Sequence, residues 1–499
     1  MLELMFLLYL QHNKMHKCMK TIIGRDKEIQ ELNDLFLSNK AQLVAVYGRR
    51  RVGKTFLVDE ALKGLITFRH AGLSPVDEDG NANMLSDQLQ HFYQSLLLHG
   101  MKKSHRPASW LEAFFMLEQW LQSIDNGTRQ VIFLDELPWL DTPRSKFITA
   151  FEGFWNTWAC HRDNIMVVVC GSATSWIQDN LINNHGGLYG RVTREIKLSP
   201  FTLRECELFF KNNGVHLSRY DIVQSNMVFG GIPYYLQYFT KGYSLAQNID
   251  SIFFSNERVL GGEYDRLFSS VFSNPEEMKK IVELLAGRRC GYSRKDIIDK
   301  TKLGDNGLLS KMLNALVASD FVMRYVPFGQ SKRDEHYKLI DPFCVFYLKY
   351  VKGHSRLEND FWLTNVTSQS ISSWRGFAFE EVCFRHVDKI KKALGISGVS
   401  SNQSSWLLKG DDEVEGSQID LIIERKDNIV NMCEMKFYND EYTVTKSYDR
   451  VLIARYNRLD TMIPKRSTIN PVLVTTFGLV YNEYSGTFQN VITLDDLFD

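Results

Sequence analysis

The sequence lacks an excess of charge of either sign. Its 499 residues include 59 lysines and arginines and 59 aspartates and glutamates, so the formal net charge is zero. A strongly basic or acidic chain would favour nucleic acid or a charged membrane surface as its partner. Any binding of nucleic acid must therefore depend on a local cluster of charges.

Paired cysteines and long apolar runs are also missing. The eight cysteines are scattered, with no CxxC pair and no Cys/His spacing typical of zinc, which predicts reduced thiols in a cytoplasmic protein. The apolar run 5–10 is too short to span a bilayer and lacks the flanks of a signal peptide. We therefore expect no membrane association, and we interpret residues 1–18 as a disordered or spurious extension before the more natural start at Met19.

The most informative stretch is a glycine-rich loop that follows the apolar run 43–47. It matches the phosphate-binding pattern GxxxxGK[ST] at every fixed position with Gly48, Arg49, Arg50, Arg51, Val52, Gly53, Lys54 and Thr55. The glycines let backbone N–H groups point at phosphate oxygens, and the helix that begins near Lys54 adds its positive end. We expect Lys54 to reach the β- and γ-phosphates of ATP and the Thr55 hydroxyl to bind Mg²⁺.

A second apolar stretch, 130–136, predicts a buried parallel strand that ends in two carboxylates. After a phosphate-binding loop, Asp135 is expected to hold Mg²⁺ through its water shell. Glu136 is expected to polarise the water that attacks the γ-phosphate. The alternative is a strand that runs into an acidic turn without a catalytic role.

Two further elements suggest catalytic residues of the same site. A third strand, 165–170, is followed by Ser172, which is predicted to lie between the γ-phosphate and the water, although a helix cap is an alternative. Arg191 and Arg194 precede another strand, and an arginine there would neutralise transition-state charge. Arg191 is our candidate, and a simple surface arginine is the alternative.

These motifs, together with Ile22-Ile23-Gly24-Arg25, the Leu-Tyr-Gly-Arg element at 188–191 and Gly230–Leu236, resemble the archaeal-type P-loop ATPase family, which is AAA-like and STAND-like. The resemblance covers about residues 20–265. It implies a parallel α/β sheet with a helical lid. It also implies that Gly24 and Arg25 lie against the adenine and that Gly231 and Pro233 of the lid pack on the base.

The middle of the chain has the outline of a winged helix. Three short helices are predicted at 276–285, 293–301 and 307–319, followed by strands at 321–328 and 335–339. In the third helix Leu308, Leu309, Met312, Leu313 and Leu316 are predicted to face the core, which leaves Ser310, Lys311 and Asn314 outward. Thirteen basic and ten acidic residues between positions 276 and 341 leave open whether this module contacts DNA or only packs.

A second group of charged residues occurs near the C-terminus. A helix at 376–390 carries Glu380, a strand at 418–424 carries Asp420, and a strand at 429–437 carries Glu434 and Lys436. Strand alternation puts Glu434 and Lys436 on one face, and hairpin pairing can bring Asp420 beside them. Asp420 and Glu434 would bind Mg²⁺ and Lys436 would activate water, which makes a phosphodiester-cleaving site.

This pattern resembles the PD-(D/E)XK nuclease fold over about residues 372–499, with Ile419 in place of the proline. The resemblance implies catalytic roles for Glu380, Asp420, Glu434 and Lys436. It is also consistent with the ATPase family, whose members often carry such a domain at the C-terminus. A degenerate domain that keeps the fold without activity remains an alternative.

The combined prediction is a cytoplasmic, Mg²⁺-dependent ATPase of the α/β class that acts on nucleic acid, DNA rather than RNA, in defence, mobile-element or repair work. A homo-oligomer is possible. The rivals are a nucleotide-switched scaffold and an ATP-dependent DNA-binding regulator, each with an inactive tail. The predicted segments are an extension (1–18), ATPase core (19–200), helical lid (201–270), winged helix (271–345), helical linker (346–371) and a restriction-endonuclease-like α/β domain (372–499).

Overall fold

A computed structural model describes residues 22–75, 83–272, 274–353, 360–408 and 417–499. The predicted extension 1–18 lies outside these described residues. The chain divides into two compact units. The first ends at Ser199 and includes a short segment that begins at Ser269, and the second comprises Pro200–Phe268 and Asn274–Asp499.

The first unit contains a parallel sheet, five-stranded within the described residues, in the order β2-β3-β4-β1-β5. Strands β1, β3 and β4 are buried along their whole length, as expected for apolar strands that are covered on both faces. The strands are β1 (Gln42–Tyr47), β2 (Ile66–Ala71), β3 (Gln130–Asp135), β4 (Ile165–Gly171) and β5 (Arg194–Lys197). The predicted α/β fold with a parallel sheet is confirmed. Because the strands are parallel, β1 and β3 deliver the residues that follow them to the same edge.

Helices rich in aromatic residues cover one face of this sheet. The rings of Phe92, Trp110, Phe114, Phe147 and Phe151 are in mutual contact, and they share a buried core with β1, β3 and β4 side chains. The helices described in the first unit, on either face of the sheet, are α1 (Asp26–Leu37), α2 (Lys54–Ala61), α3 (Leu85–Leu98), α4 (Trp110–Ser123), α5 (Leu137–Leu140), α6 (Phe147–Thr157) and α7 (Thr174–Ile177), which continues as a π turn, Gln178–Ile182. This core holds the edge of the sheet where the glycine-rich loop lies.

The second unit begins with helices in the region predicted as a lid. They are α8 (Leu203–Asn212), α9 (Arg219–Phe229), α10 (Pro233–Leu236), α11 (Leu245–Phe253) and α12 (Glu263–Val271). Side-chain caps fix three of their starts, because Thr202, Ser218 and Ser244 each accept a backbone N–H three residues on.

The middle of the chain forms helices and a small antiparallel sheet with strand order β6-β8-β7. Its elements are α13 (Pro275–Ala286), β6 (Tyr292–Ser293), α14 (Arg294–Thr301), α15 (Gly307–Ala318), β7 (Val322–Tyr325) and β8 (His336–Leu339). The core stripe predicted for α15 is wrong at one position. Leu308 is 46% exposed, because it lies about 100° around the helix from Leu309, and Ala315 is buried in the stripe instead. Lys311 and Asn314 are exposed, as expected.

A short helical stretch leads to the C-terminal part, where a mixed sheet has the order β13-β12-β11-β10-β9 within the described residues. Strands β9, β10 and β11 pair antiparallel, whereas β11, β12 and β13 pair parallel. The elements are α16 (Pro342–Phe346), a π turn (Tyr347–Val351), α17 (Phe361–Asn365), α18 (Gln369–Arg385), α19 (Val387–Ala393), β9 (Ser401–Leu408), β10 (Ser417–Arg425), β11 (Ile429–Lys436), α20 (Lys446–Met462), β12 (Thr468–Thr475), β13 (Asn490–Ile492) and α21 (Leu494–Phe498). No helix in the part of the chain that the structure describes is long and apolar enough to cross a membrane.

The single helix predicted at 376–390 is wrong in its bounds. Helix α18 begins seven residues earlier, where Ser368 caps it, and ends at Arg385. His386 leaves the helical conformation, and its Nδ1–H donates to the Val382 carbonyl oxygen at 2.7 Å. The Val382 carbonyl oxygen also accepts the His386 backbone N–H at 3.1 Å, and a separate helix, α19, begins at Val387.

Candidate functional site

The backbone of the loop between β1 and α2 requires glycine at the two glycine positions of the phosphate-binding pattern. Gly48 and Gly53 have φ angles of 139° and 91°. A Cβ at Gly48 would lie 2.3 Å from the Leu198 carbonyl oxygen, so no side chain fits there. Gly53 occupies the N-cap position of α2, and its left-handed conformation turns the loop into the first helical turn.

Lys54 and Thr55, the first residues of α2, face different partners. The Lys54 ammonium is buried and donates to the carbonyl oxygens of Gly48 and Arg49, at 3.0 Å each. The Thr55 hydroxyl donates to Asp135 Oδ2 at 2.9 Å. The loop and the end of β3 are therefore joined by a hydroxyl and a carboxylate, which are oxygen ligands that suit Mg²⁺.

Glu136 and Ser172 also lie together. The Ser172 backbone N–H donates to Glu136 Oε2 at 3.1 Å, and its hydroxyl is 3.0 and 2.9 Å from the two carboxylate oxygens. Glu136 has a left-handed backbone with φ of 44°, a conformation that costs a non-glycine residue roughly 1–3 kcal/mol and is often found at functional sites. The strained turn holds this carboxylate against the end of β4.

Four other residues predicted for this site also lie in the first unit. Arg25 is buried, and its guanidinium donates to the Ser199 carbonyl oxygen at 2.7 Å. Gly24 precedes it with a positive φ of 64°. Arg50 lies 5.5 Å from the centre of the Trp139 ring. Val52 is buried in the loop.

The two arginines near β5 differ in their surroundings. Arg194 pairs with Glu31 of α1, an ion pair that the sequence did not predict. Arg191 is exposed. The structure therefore favours Arg191 over Arg194 as a residue available to a ligand or to another copy of the chain.

Gly231 and Pro233 belong to the second unit. Gly231 has a φ of 71°, and a Cβ there would come within 2.3 Å of the Phe201 carbonyl oxygen. Pro233 is the first residue of α10, where its fixed φ and missing N–H suit the start of a helix. The packing of this unit alone accounts for both residue types.

The predicted C-terminal residues converge on the hairpin of β10 and β11. Leu421 pairs with Cys433, so Asp420 lies beside Glu434 in the same register. Asp420 Oδ2 accepts the Met435 backbone N–H at 3.0 Å. The Lys436 ammonium lies 3.5 Å from Glu434 Oε2. Three of the four predicted residues thus share one small region.

Glu380, on α18, belongs to this group through its electrostatic interaction with Asp420. Burial and the neighbouring Asp420 carboxylate raise the pKa of Glu380 to about 8. Burial and the Glu434 carboxylate raise the pKa of Asp420 to about 6. Buried carboxylates close enough for one to raise the pKa of another form a site to which a cation would be attracted.

The donor set fits Mg²⁺ only with help from other ligands. Within the described residues, no three His, Cys, Asp or Glu side chains are grouped closely enough to hold a metal ion. A bound Mg²⁺ would therefore take Asp420 and Glu434 and complete its shell with water or phosphate oxygens, as this ion commonly does.

Sequence reasoning missed three residues around this group. Arg455 and Tyr448 of α20 both contact Glu434. Lys338 of β8 forms a largely buried ion pair with Glu381, next to Glu380 on α18. The seven-residue spacing of Tyr448 and Arg455 places them on one helix face, but only the tertiary structure shows which strand that face meets.

Comparisons with known proteins give a family match over the residues of the first site. Residues 22–239 match the model of an ATPase domain predominantly from Archaea. An uncharacterised protein of Methanocaldococcus jannaschii is 25% identical over 380 residues, which cover 74% of this chain and 78% of that protein.

Two solved structures are similar to about two thirds of the chain. The Walker-type ATPase of Pyrococcus abyssi has a TM-score of 0.49 and 19% identity, covering 66% of this chain and 96% of that chain. The Aeropyrum pernix ORC2 protein, solved with ADPNP and ADP, has a TM-score of 0.40 and 13% identity over 66% of this chain and 93% of that chain. TM-scores below 0.5 give no information about function. The evidence for an ATPase domain is therefore the family match over residues 22–239. Residues 22–239 contain an ATPase domain of the archaeal type.

Proposed function

We propose that this chain binds ATP with Mg²⁺ at the loop 48–55, hydrolyses it, and carries a nuclease-like domain at residues 372–499 that acts on nucleic acid. The observation that carries the first part is the contact between Thr55 and Asp135 at 2.9 Å, beside a lysine that is held within the loop. Bound Mg²⁺ would offset the charge of the phosphates there.

Each residue of the nucleotide site has a role in this proposal. Lys54 exchanges its bonds to loop carbonyls for bonds to phosphate oxygens. Thr55 and Asp135 hold the ion, and Glu136 accepts a proton from the attacking water. Ser172 orients the Glu136 carboxylate. Arg191, which is exposed, is the arginine we assign to the transition-state charge, and a neighbouring copy in a homo-oligomer is one way for it to reach a phosphate.

Glu136→Gln is expected to bind Mg·ATP almost normally and to hydrolyse it about 10²-fold more slowly, since loss of a general base typically costs 10²–10⁴-fold. The amide keeps the shape and can still accept from Ser172. Steady-state hydrolysis and nucleotide binding would be measured together. Glu28→Gln, a partly exposed position on α1, is the control. Hydrolysis at the parent rate would show that another residue is the base.

Ser172→Ala separates the orienting role from a simple helix cap. The variant loses the hydroxyl contacts to Glu136 but keeps the backbone N–H bond. A lost hydrogen bond to a charged group is worth about 1.5–3 kcal/mol, so turnover should fall about tenfold or more. The rate constant for hydrolysis at saturating ATP is the readout. An unchanged rate of ATP hydrolysis together with a lower free energy of unfolding would show that Ser172 acts only as a helix cap.

The nuclease-like part of the proposal is supported by the charge of the second site. Asp420 and Glu434 are two buried carboxylates at adjacent strand positions, with the Lys436 ammonium beside them. In this proposal they hold Mg²⁺, Glu380 tunes the site, and Lys436 orients water toward a phosphodiester. The test is cleavage of single- and double-stranded DNA and RNA with Mg²⁺ or Mn²⁺, with and without ATP.

The rival functions receive support from the middle module, which we also propose to be a winged helix. Its sheet packs on the C-terminal part, since the Phe328 N–H donates to the Ser405 carbonyl oxygen at 3.2 Å and Lys338 pairs with Glu381. This favours a packing module and is compatible with a nucleotide-switched scaffold. The exposed Lys311 and Asn314 are compatible with a DNA-binding regulator. Sequence-selective DNA binding that Lys311→Ala removes would favour the regulator.

A further inference from the structure

Helix α20 presents two side chains to Glu434. Arg455 Nη1 donates to Glu434 Oε1 at 2.5 Å, and the Tyr448 hydroxyl donates to Oε2 at 2.7 Å. The two residues are seven apart, which is about two helical turns, so they lie one above the other. The side chain of Glu434 has no exposed surface. Both of its oxygens are therefore occupied by donors from one helix.

Arg455 opposes a cation at this site. Its guanidinium contacts Glu434 Oε1, the oxygen that a divalent ion would use. A guanidinium and a metal ion bound to the same carboxylate would repel each other strongly in a buried setting. While Arg455 stays in place, it occupies one lone pair of Oε1 and offsets the carboxylate charge, which weakens Glu434 as a metal ligand. Movement of the Arg455 side chain would free this oxygen for a metal ion.

The same guanidinium has an unused donor. Arg455 Nε is buried and has no hydrogen-bond partner within the described residues. A buried donor without a partner is unfavourable and is usually satisfied by a ligand, a water or a second conformation. Arginine matches the paired oxygens of a phosphate with two parallel N–H bonds, one of which can come from Nε.

We propose that Arg455 has two positions: it pairs with Glu434 when no metal is bound, and it binds the phosphodiester of the nucleic acid when a divalent ion takes Glu434. The inference rests on the proposed function of this site. It makes Arg455 a positioning residue for the metal-free carboxylate and a phosphate ligand in the loaded site. Tyr448 retains its bond to Oε2 and keeps Glu434 in place during the exchange.

The first test measures Mn²⁺ binding without nucleotide or nucleic acid. The full chain would carry Asp135→Asn, so that the nucleotide site contributes little. Arg455→Gln should bind Mn²⁺ about tenfold more tightly or better, because removing a competing charge at this distance is worth more than the 1.4 kcal/mol of a tenfold change. Arg450→Gln, an exposed arginine on the same helix, makes the same change in net charge and should have little effect.

The second test measures DNA binding with Mn²⁺ present, using a labelled phosphorothioate oligonucleotide that resists cleavage. Arg455→Gln should weaken this binding about tenfold, since a charge-assisted hydrogen bond is lost. A fixed counter-ion for Glu434 would not predict weaker DNA binding. Tighter binding of Mn²⁺ together with weaker binding of DNA by Arg455→Gln supports the proposal. Unchanged affinity for Mn²⁺ or unchanged affinity for DNA overturns it.

Two further variants keep the test decisive. If Arg455→Gln does not fold, as judged by its thermal midpoint, Arg455→Lys keeps the buried charge and should change both affinities in the same directions by less. Asp420→Asn tests the metal site itself. If it leaves Mn²⁺ binding intact, the proposed nuclease-like function fails. If it removes Mn²⁺ binding while Arg455→Gln changes nothing, only the exchange of Arg455 fails.

Discussion

Lys54→Ala is expected to abolish tight ATP binding. The ammonium is buried within the loop and would lie close to the β- and γ-phosphates. At about 4 Å and an effective dielectric constant near 20, such a contact contributes about 4 kcal/mol, or roughly 10³-fold in affinity. Arg49, Arg50 and Arg51 precede it in the loop and are not placed to take over its role. Titration with a fluorescent ATP analogue is the measurement.

The control for Lys54 is Lys63→Ala, just beyond the end of α2. Lys63 is 48% exposed and pairs with Glu60, whose side chain is 11% exposed. Its loss should leave nucleotide affinity unchanged, and its effect on stability would be read from the thermal midpoint. Unchanged affinity in Lys54→Ala itself, in a protein with a normal thermal midpoint, would contradict the whole assignment of the loop.

Lys436→Met and Asp420→Asn are expected to abolish cleavage of nucleic acid and to leave ATP hydrolysis intact. The Lys436 side chain is 27% exposed, and its ammonium lies 3.5 Å from Glu434 Oε2. If it were only a counter-ion for the buried Glu434 carboxylate, its loss would lower the stability of the fold without any specific effect on catalysis. If it orients the attacking water, its loss removes the reaction. Cleavage and ATP hydrolysis would be measured on the same preparation.

Two positions in the same region serve as controls for this separation of functions. Asp427→Asn lies in the turn of the hairpin that carries Asp420, where it pairs with Arg425 at the surface. Lys446→Met lies at the exposed start of α20. Both should cleave like the parent. If the parent shows no cleavage with Mg²⁺ or Mn²⁺ on any substrate, the catalytic proposal is withdrawn and only a nuclease-like fold is retained.

The sequence predicted those parts of the two sites that short, contiguous motifs determine. The loop 48–55 and the strand end at Asp135 have fixed spacings, and parallel strands bring such ends to one edge, so the contact of Thr55 with Asp135 follows. The hairpin of Asp420 and Glu434 also follows from strand alternation. These inferences need only local geometry and one rule of sheet topology.

The residues that were missed depend on tertiary packing. Arg455 reaches Glu434 only because α20 packs across β11, and Arg194 pairs with Glu31 across 163 positions of sequence. The end of α18 was also missed, because the pattern of apolar residues continues past His386. There, His386 adopts a backbone conformation outside the helical region, and the periodicity of apolar residues does not record this change.

The buried ion pair of Lys338 and Glu381 has a consequence for how such chains can be rearranged. Removing one partner of a buried pair typically costs about 3–5 kcal/mol, because the other charge is left without compensation. A cut at the predicted boundary near residue 371 would leave Lys338 alone in the middle module and Glu381 alone on α18. We therefore expect an exchange of tails between related chains to keep its stability only if it includes the small sheet that carries Lys338.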